Sequence, residues 1–206
     1  MPESTTIDPL FWIVFYFVLV GWFAFGIAFL LRRRPGTSAK RIRNNRSIWG
    51  VVLMGIGMFL VWWIRRPAGV AFIPNSLVAS YLLDGVACAL TVGSIWLILA
   101  AIRLLGKQWN VRAIVVEQHQ LITTGPYAFV RHPIYTGMFG LMVATGIANG
   151  YWYSLLTAIG FAVFGTLLRI REEERLLREI FGGDFEVYRE TVPAFFPHRR
   201  RSGHAT

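Results

Sequence analysis

Charge is scarce in this sequence. Only 16% of its 206 residues are Asp, Glu, Lys or Arg, 55% are hydrophobic, and the mean hydropathy is +0.50. Soluble domains carry about a quarter charged residues, so a water-soluble globule is excluded. Acidic residues are the rarer sign, 11 against 21 basic, for a formal net charge of +10. Cysteine is nearly missing: the single Cys88 lies within an apolar run, which excludes a disulfide framework and a thiolate metal site. The sequence also lacks a glycine-rich phosphate loop, zinc-ligand spacing and a nucleophile elbow, so no metal is expected. Internal repeats and low-complexity segments are absent.

Long apolar runs are what the chain has instead. A hydrocarbon core of about 30 Å needs roughly 20 apolar residues to cross it. Five runs are read as spans, at Leu10–Leu31, Ile48–Ile64, Leu77–Leu105, Ile134–Ala148 and Tyr151–Ile170. The first is longer than a signal peptide's apolar core, and acidic Met1–Asp8 precedes it, so it is expected to remain as a span. The fourth and fifth are linked only by Asn149-Gly150, which forces an antiparallel helical hairpin. The expected fold is therefore an all-α membrane protein of about five transmembrane helices with a C-terminal hairpin. Its expected division is residues 1–105, three N-terminal spans, and residues 106–206, the functional region.

The basic excess does not point to nucleic acid. Arg32-Arg33-Arg34, Lys40-Arg41-Ile42-Arg43 and Arg199-Arg200-Arg201 flank apolar runs or lie in the tail, as the positive-inside rule and anionic headgroups dictate. Segments 32–46, 103–131 and 169–201 hold every Lys and Arg except Arg65 and Arg66. Alternating five spans puts all three segments on one side, so the N-terminus is expected outside and the C-terminus in the cytoplasm.

Two polar constellations stand out. In Arg131-His132-Pro133-Ile134-Tyr135, the proline is placed for a helix's first turn, where its missing N–H costs nothing. His132 is then the cap, next to backbone N–H groups without helical partners, an end that attracts carboxylate or phosphate. An interfacial basic-aromatic anchor explains Arg131 and Tyr135 but not the prolines around His132. The second constellation is Arg169-Ile170-Arg171-Glu172-Glu173-Glu174. Arg169 and Glu173 share a helix face and suit an ion pair, and the hairpin should bring the whole cluster beside His132 and Tyr135.

Other features are read more simply. Asp84 inside the third span must face the bundle interior or water, and a structural hydrogen bond is favoured over catalysis. Gly21, Gly26, Gly55, Gly57, Gly85, Gly93, Gly160 and Gly165 are expected at close helix contacts. The fifth span should continue as an amphipathic helix until Gly182-Gly183. Val192–Pro197 should then wrap back onto the protein, and Val111–Val116 should be extended. His198 and His204 read as tail residues.

In this order, three blocks resemble the isoprenylcysteine carboxyl methyltransferase family of integral membrane enzymes. The first is His119 with Leu121-Ile122-Thr123-Thr124-Gly125-Pro126-Tyr127. The second is Arg131-His132-Pro133 with Tyr135 and Gly137. The third is Glu173-Glu174, Leu177, Phe181-Gly182, Tyr188 and Val192-Pro193. The resemblance covers roughly residues 106–198 and implies S-adenosylmethionine as cofactor, held in a small cytoplasmic cofactor pocket that completes the expected fold. It implies cofactor contacts from His119, Gln120, Leu121, Ile122, Tyr127, His132, Pro133, Ile134, Tyr135 and Glu173, and a substrate-facing Arg169. Gln120 and Ile122 stand where the family more often has Thr and Val. The proline of Gly125-Pro126-Tyr127 is that of bacterial-type relatives.

The acceptor implied is prenylated or lipid-like, methylated on a carboxylate, with membrane lipids as the surrounding partners. For an amine acceptor, Glu174 becomes a candidate base. Phospholipid or amine N-methylation, a membrane-embedded NADPH-dependent sterol or lipid reductase, and a scaffold without activity are the alternatives.

Overall fold

The computed structural model describes residues 7–31, 45–73, 76–106 and 121–196. Its helices are α1 (Phe11–Leu31), α2 (Asn45–Trp63), α3 (Leu77–Leu105), α4 (Pro133–Asn149), α5 (Trp152–Phe181) and α6 (Gly183–Thr191). A 3₁₀ turn at Gly125–Ala128 precedes α4. Among the described residues there is no strand, only isolated bridges pairing Ile7 with Val70 and Arg65 with Gly150. The expected extended piece at Val111–Val116, the three arginine- and lysine-rich clusters, His198 and His204 lie outside the described residues.

Each of the five apolar runs forms a helix. α1, α3 and α5 are long and apolar enough to cross a membrane, with hydropathies of 2.4, 2.2 and 1.6. The apolar part of α2, Ile48–Trp63, is shorter, and α4 has 17 residues. Large apolar side chains such as Ile13, Phe23, Leu82, Trp96 and Phe164 face outward, while Ser80, Thr91, Ser94, Thr145 and Ser154 are buried. That inversion of the soluble pattern is what a lipid solvent demands. Apolar surface costs nothing outside, and small or hydrogen-bonding residues let helices meet inside. The chain is a multi-pass membrane protein.

α2 packs chiefly along α5 and α3 along α4, with α1 against α3 and α4. A Cβ on Gly165 would lie 2.6 Å from the Gly50 carbonyl, so the α2–α5 contact requires glycine there. Gly21 and Gly57 are equally tight, against Thr91 and Ala158. The close-packing expectation fails at Gly26, Gly55, Gly85, Gly93 and Gly160, where a Cβ would meet nothing within 4 Å. Of those five, Gly55, Gly85, Gly93 and Gly160 are exposed and Gly26 is half-buried. Across α1 and α4, Trp22 Nε1 donates to Thr145 Oγ1 at 2.9 Å.

The last two long helices form the expected hairpin. Gly150 and Tyr151 separate α4 from α5, and Gly146 fits directly beneath Leu155. α5 runs unbroken from the apolar stretch through the charged one to Phe181. Gly182, at φ +49, ends it in a backbone region that L side chains rarely adopt. Gly183 does not prolong the break: it opens α6.

Candidate functional site at the hairpin mouth

The start of α4 and the charged part of α5 meet where the hairpin opens. Pro133 occupies the first helical turn and is fully buried, and His132 is the N-cap. The tail returns to this point, as Val192–Pro197 suggested. The N–H of Arg131 donates to the Pro193 carbonyl at 2.9 Å and that of His132 to Ala194 at 3.0 Å. Thr136 Oγ1 donates to the Phe195 carbonyl at 2.8 Å, and Phe139 meets Phe195 and Phe196 edge-on. An extended, proline-containing tail thus offers carbonyls in register with the amides of the capping His132 and of Arg131 before it.

Two carboxylates organise the side chains. Glu173 Oε1 accepts from the Tyr135 hydroxyl at 2.5 Å and from Arg169 Nη2 at 2.7 Å. Arg169 Nε also donates to the Tyr135 oxygen at 3.0 Å, closing a three-membered cluster. Glu174 Oε1 accepts from Arg131 through Nε at 2.9 Å and Nη2 at 2.7 Å. His132 lies between the two acids, its Nε2 3.2 Å from Glu174 Oε1 and its Nδ1 3.6 Å from Glu173 Oε2. Its ring stacks near that of Tyr135, 5.9 Å between centroids. Burial pushes the His132 pKa down. Hydrogen bonds and charge from Glu173 and Glu174 outweigh it and hold the group above its ordinary value.

The two acids differ in exposure. The Glu174 side chain is 11% exposed and is enclosed by Arg131, His132 and, at 3.8 Å, Arg189. The Glu173 side chain is 23% exposed, the more accessible of the two.

The remaining candidates are distributed around this core. Tyr127 is buried on the 3₁₀ turn, and its carbonyl accepts from the Tyr188 hydroxyl at 2.7 Å. Burial, aided by Tyr188 and Glu173, pushes the Tyr127 phenol well up, which puts it in the same electrostatic neighbourhood. Gly125 has φ +59, and a Cβ there would reach 2.5 Å from Leu104, so the turn fits against α3 only with glycine. Leu121 and Ile122 are half-buried. Ile134 packs against the core of Ile98, Ile102 and Leu141. His119 and Gln120 lie outside the described residues.

In the sequence Arg131 stands out only as part of the Arg131-His132-Pro133 motif and as a basic anchor. Besides gripping Glu174, its Nη1 donates to the carbonyls of Arg189 and Val192, fastening α6 and the tail to the site. An arginine directly before a helix-capping histidine was the available signal. Asp84, by contrast, is remote from this mouth. It is buried beside Asp8 and Arg66, which lie outside the long helices.

Comparison with known proteins shows what this stretch is similar to. Residues 85–179 match the model of the isoprenylcysteine carboxyl methyltransferase (ICMT) family. The cobalt-zinc-cadmium resistance protein CzcN of Cupriavidus metallidurans is 30% identical over 156 residues, 75% of this chain and 64% of that protein. The protein-S-isoprenylcysteine O-methyltransferase of Schizosaccharomyces pombe is 37% identical over 83 residues, 39% of this chain and 34% of that protein. The nickel-cobalt-cadmium resistance protein NccN of Alcaligenes xylosoxydans xylosoxydans is 34% identical over 113 residues, 54% and 51% of the two chains. The chain thus spans less than two thirds of each of these relatives. The matched region contains α4 with Tyr135, the capping His132 and the paired glutamates of α5, so the stretch that builds the hairpin mouth is similar to the isoprenylcysteine carboxyl methyltransferase family.

Proposed function

We propose that this protein is an integral membrane S-adenosylmethionine-dependent methyltransferase acting on the carboxylate of a prenylated or lipid-like acceptor. The observation that carries the proposal is the meeting of Tyr135, His132, Arg169 and Glu173 at the hairpin mouth, within the stretch that matches the family.

The donor set suits the cofactor's charges. Glu173, the more exposed of the two acids and bonded to the Tyr135 hydroxyl, suits an ammonium or ribose hydroxyls. The start of α4, with His132 at its cap, suits a carboxylate. Tyr127, Pro133 and Ile134, with Leu121 and Ile122 and, further out, His119 and Gln120, would line the rest of the pocket. When bound, the cofactor supplies a methyl group on a cationic sulfur.

Arg169 is held by Tyr135 and Glu173 at the same wall and would orient an anionic acceptor. A carboxylate is ionised near neutrality and needs no base to become a nucleophile. Glu174 agrees with that chemistry: enclosed by Arg131, His132 and Arg189, it has little capacity left to take a proton and instead fixes its neighbours. An amine acceptor would need a base that Glu174 is badly placed to be. The site's work is then orientation of two reactants and exclusion of water.

In this reading all five long helices cross the bilayer, the N-terminus lies outside, and the hairpin mouth opens to the cytoplasm. Residues 1–105 provide the membrane scaffold and 106–206 the catalytic region. The deciding experiment incubates the purified protein with methyl-labelled S-adenosylmethionine and a total lipid extract, followed by base treatment. Release of the label as methanol identifies an ester and supports the proposal. A base-stable label identifies N-methylation and overturns the carboxylate acceptor. Protection from thermal unfolding by NADPH but not by S-adenosylhomocysteine overturns the methyltransferase reading.

A further inference from the structure

The opposite end of the bundle holds a second polar cluster that methyl transfer does not use. Arg66 follows α2, its N–H donates to the Asn149 carbonyl at 2.9 Å, and its Nη2 donates to the Ile147 carbonyl at 2.7 Å. Its Nη1 donates to the Val70 carbonyl at 2.8 Å. Arg66 is 5% exposed and Asn149 is 2% exposed. Yet Arg66 Nε and Asn149 Nδ2 find no hydrogen-bond acceptor among the described residues. Two buried donors without acceptors are costly unless something else accepts from them.

Both residues line one cavity of about 480 Å³, with Arg65, Phe11, Trp12 and Tyr151 among its other walls. Arg65 is exposed at its rim. Asp8 and Asp84 lie close to Arg66, but neither lines the cavity. Burial lowers the Arg66 pKa to about 10, against the opposing pull of Asp8, Asp84 and Tyr151, so it stays cationic at neutral pH. The walls therefore carry two arginines, an asparagine and aromatic rings, with the unmet donors of Arg66 and Asn149 buried in the wall itself: chemistry for an anion attached to an apolar body. A cation is disfavoured by the same arginines.

Position in the bilayer narrows the source of that anion. α4 has 17 residues, so His132 at its start and Asn149 at its end are separated by about 25 Å. That approaches the hydrocarbon thickness of about 30 Å. Exposed Trp12, Trp63 and Trp152 cluster at this end, where tryptophan marks the headgroup level. We propose that the cavity is a phosphate-binding subsite for a phospholipid headgroup of the leaflet opposite the hairpin mouth. Arg65, Arg66 Nε and Asn149 Nδ2 take the phosphate, and Phe11, Trp12 and Tyr151 pack against the glycerol and first chain carbons.

The subsite is independent of methyl transfer and is tested without it. The full chain in a phosphate-free maltoside detergent is titrated with dihexanoyl phosphatidylglycerol, dihexanoylglycerol and inorganic phosphate, and thermal unfolding is followed. The phosphatidylglycerol should raise the melting temperature, the phosphate-free diacylglycerol should not, and inorganic phosphate should act only at far higher concentration. Arg65→Gln or Asn149→Ala should weaken the lipid's apparent affinity by about ten- to hundredfold, the loss expected for one hydrogen bond to a charged group. S-adenosylhomocysteine binding at the other end should be unchanged in Arg65→Gln, which shows that the variant is folded. Equal potency of inorganic phosphate overturns the lipid source. No shift with any phosphate compound, or a shift unaltered by both substitutions, overturns the subsite.

Discussion

The Tyr135 hydroxyl donates to Glu173 Oε1 across 2.5 Å, tying the first turn of α4 to the charged stretch of α5, 38 residues later. Arg169 completes the tie by donating to both. Tyr135→Phe removes the hydroxyl and leaves the ring. Loss of one buried, charge-assisted hydrogen bond costs about 1.5–3 kcal/mol. The variant should therefore melt earlier and bind S-adenosylhomocysteine at least about tenfold more weakly by calorimetry. Unchanged affinity would mean that the pair is a helix tie and not part of a ligand site.

Arg131 joins Glu174, α6 and the tail through one guanidinium. Both partners of the ion pair are nearly inaccessible, 9% and 11% exposed. Removing one partner of such a pair strands the other, at a cost of about 3–5 kcal/mol. Arg131→Ala should lower stability by that order and also release residues 192–196. Hydrogen exchange at the amides of Arg131 and His132, which donate to Pro193 and Ala194, should rise before the rest of α4 opens. Exchange that stays slow there would show the tail to be held by its aromatic contacts alone.

His132 gives the site a pH signature. Its pKa stands above the ordinary 6.5 because Glu173 and Glu174 outweigh the effect of burial. The folded state therefore binds this proton more tightly than the unfolded chain. The resulting stabilisation is complete below about pH 6.5 and is lost as pH rises through the folded value. The stability difference between wild type and His132→Gln should be largest at pH 6 and shrink toward alkaline pH in thermal melts. A difference that is flat from pH 6 to pH 10 would show that the imidazole is neutral when folded.

Much of this arrangement was legible in the sequence because its causes are local. Apolar run length gave the helices, Asn149-Gly150 gave the hairpin, and Pro133 gave the start of α4, so the approach of Arg169–Glu174 to His132 followed from topology alone. What stayed hidden depends on non-local complementarity. Nothing in VPAFF states that its carbonyls match the amides of Arg131 and His132, or that Arg131 rather than Arg171 reaches Glu174. The glycines illustrate the same limit. Gly165 and Gly85 look alike in sequence, yet only Gly165 meets a backbone, because which helix face finds a partner is decided by the assembled bundle. Arg65 and Arg66 were legible as the two exceptions to the charge bias, though not as walls of a cavity.

Gly50 connects packing to the site most directly. A Cβ there would approach Arg169 Cγ to 2.7 Å and the Gly165 carbonyl to 2.8 Å. The second obstacle is backbone on α5, which cannot step aside as a side-chain tip can. Gly50→Ala must therefore push α2 from α5 or rotate Arg169 out of its contacts with Tyr135 and Glu173. Overpacking of this kind costs about 1–3 kcal/mol. The two responses are separable. If the helices part, stability falls and S-adenosylhomocysteine affinity changes little. If Arg169 moves, methyl transfer falls more than cofactor affinity, since Tyr135 and Glu173 keep their mutual bond. The shape of the contact favours the first, because moving Arg169 leaves the clash with the Gly165 carbonyl in place. The expected result is a variant that melts earlier while its S-adenosylhomocysteine affinity changes little. Wild-type turnover and stability together would show that α2 and α5 approach less closely than this geometry requires.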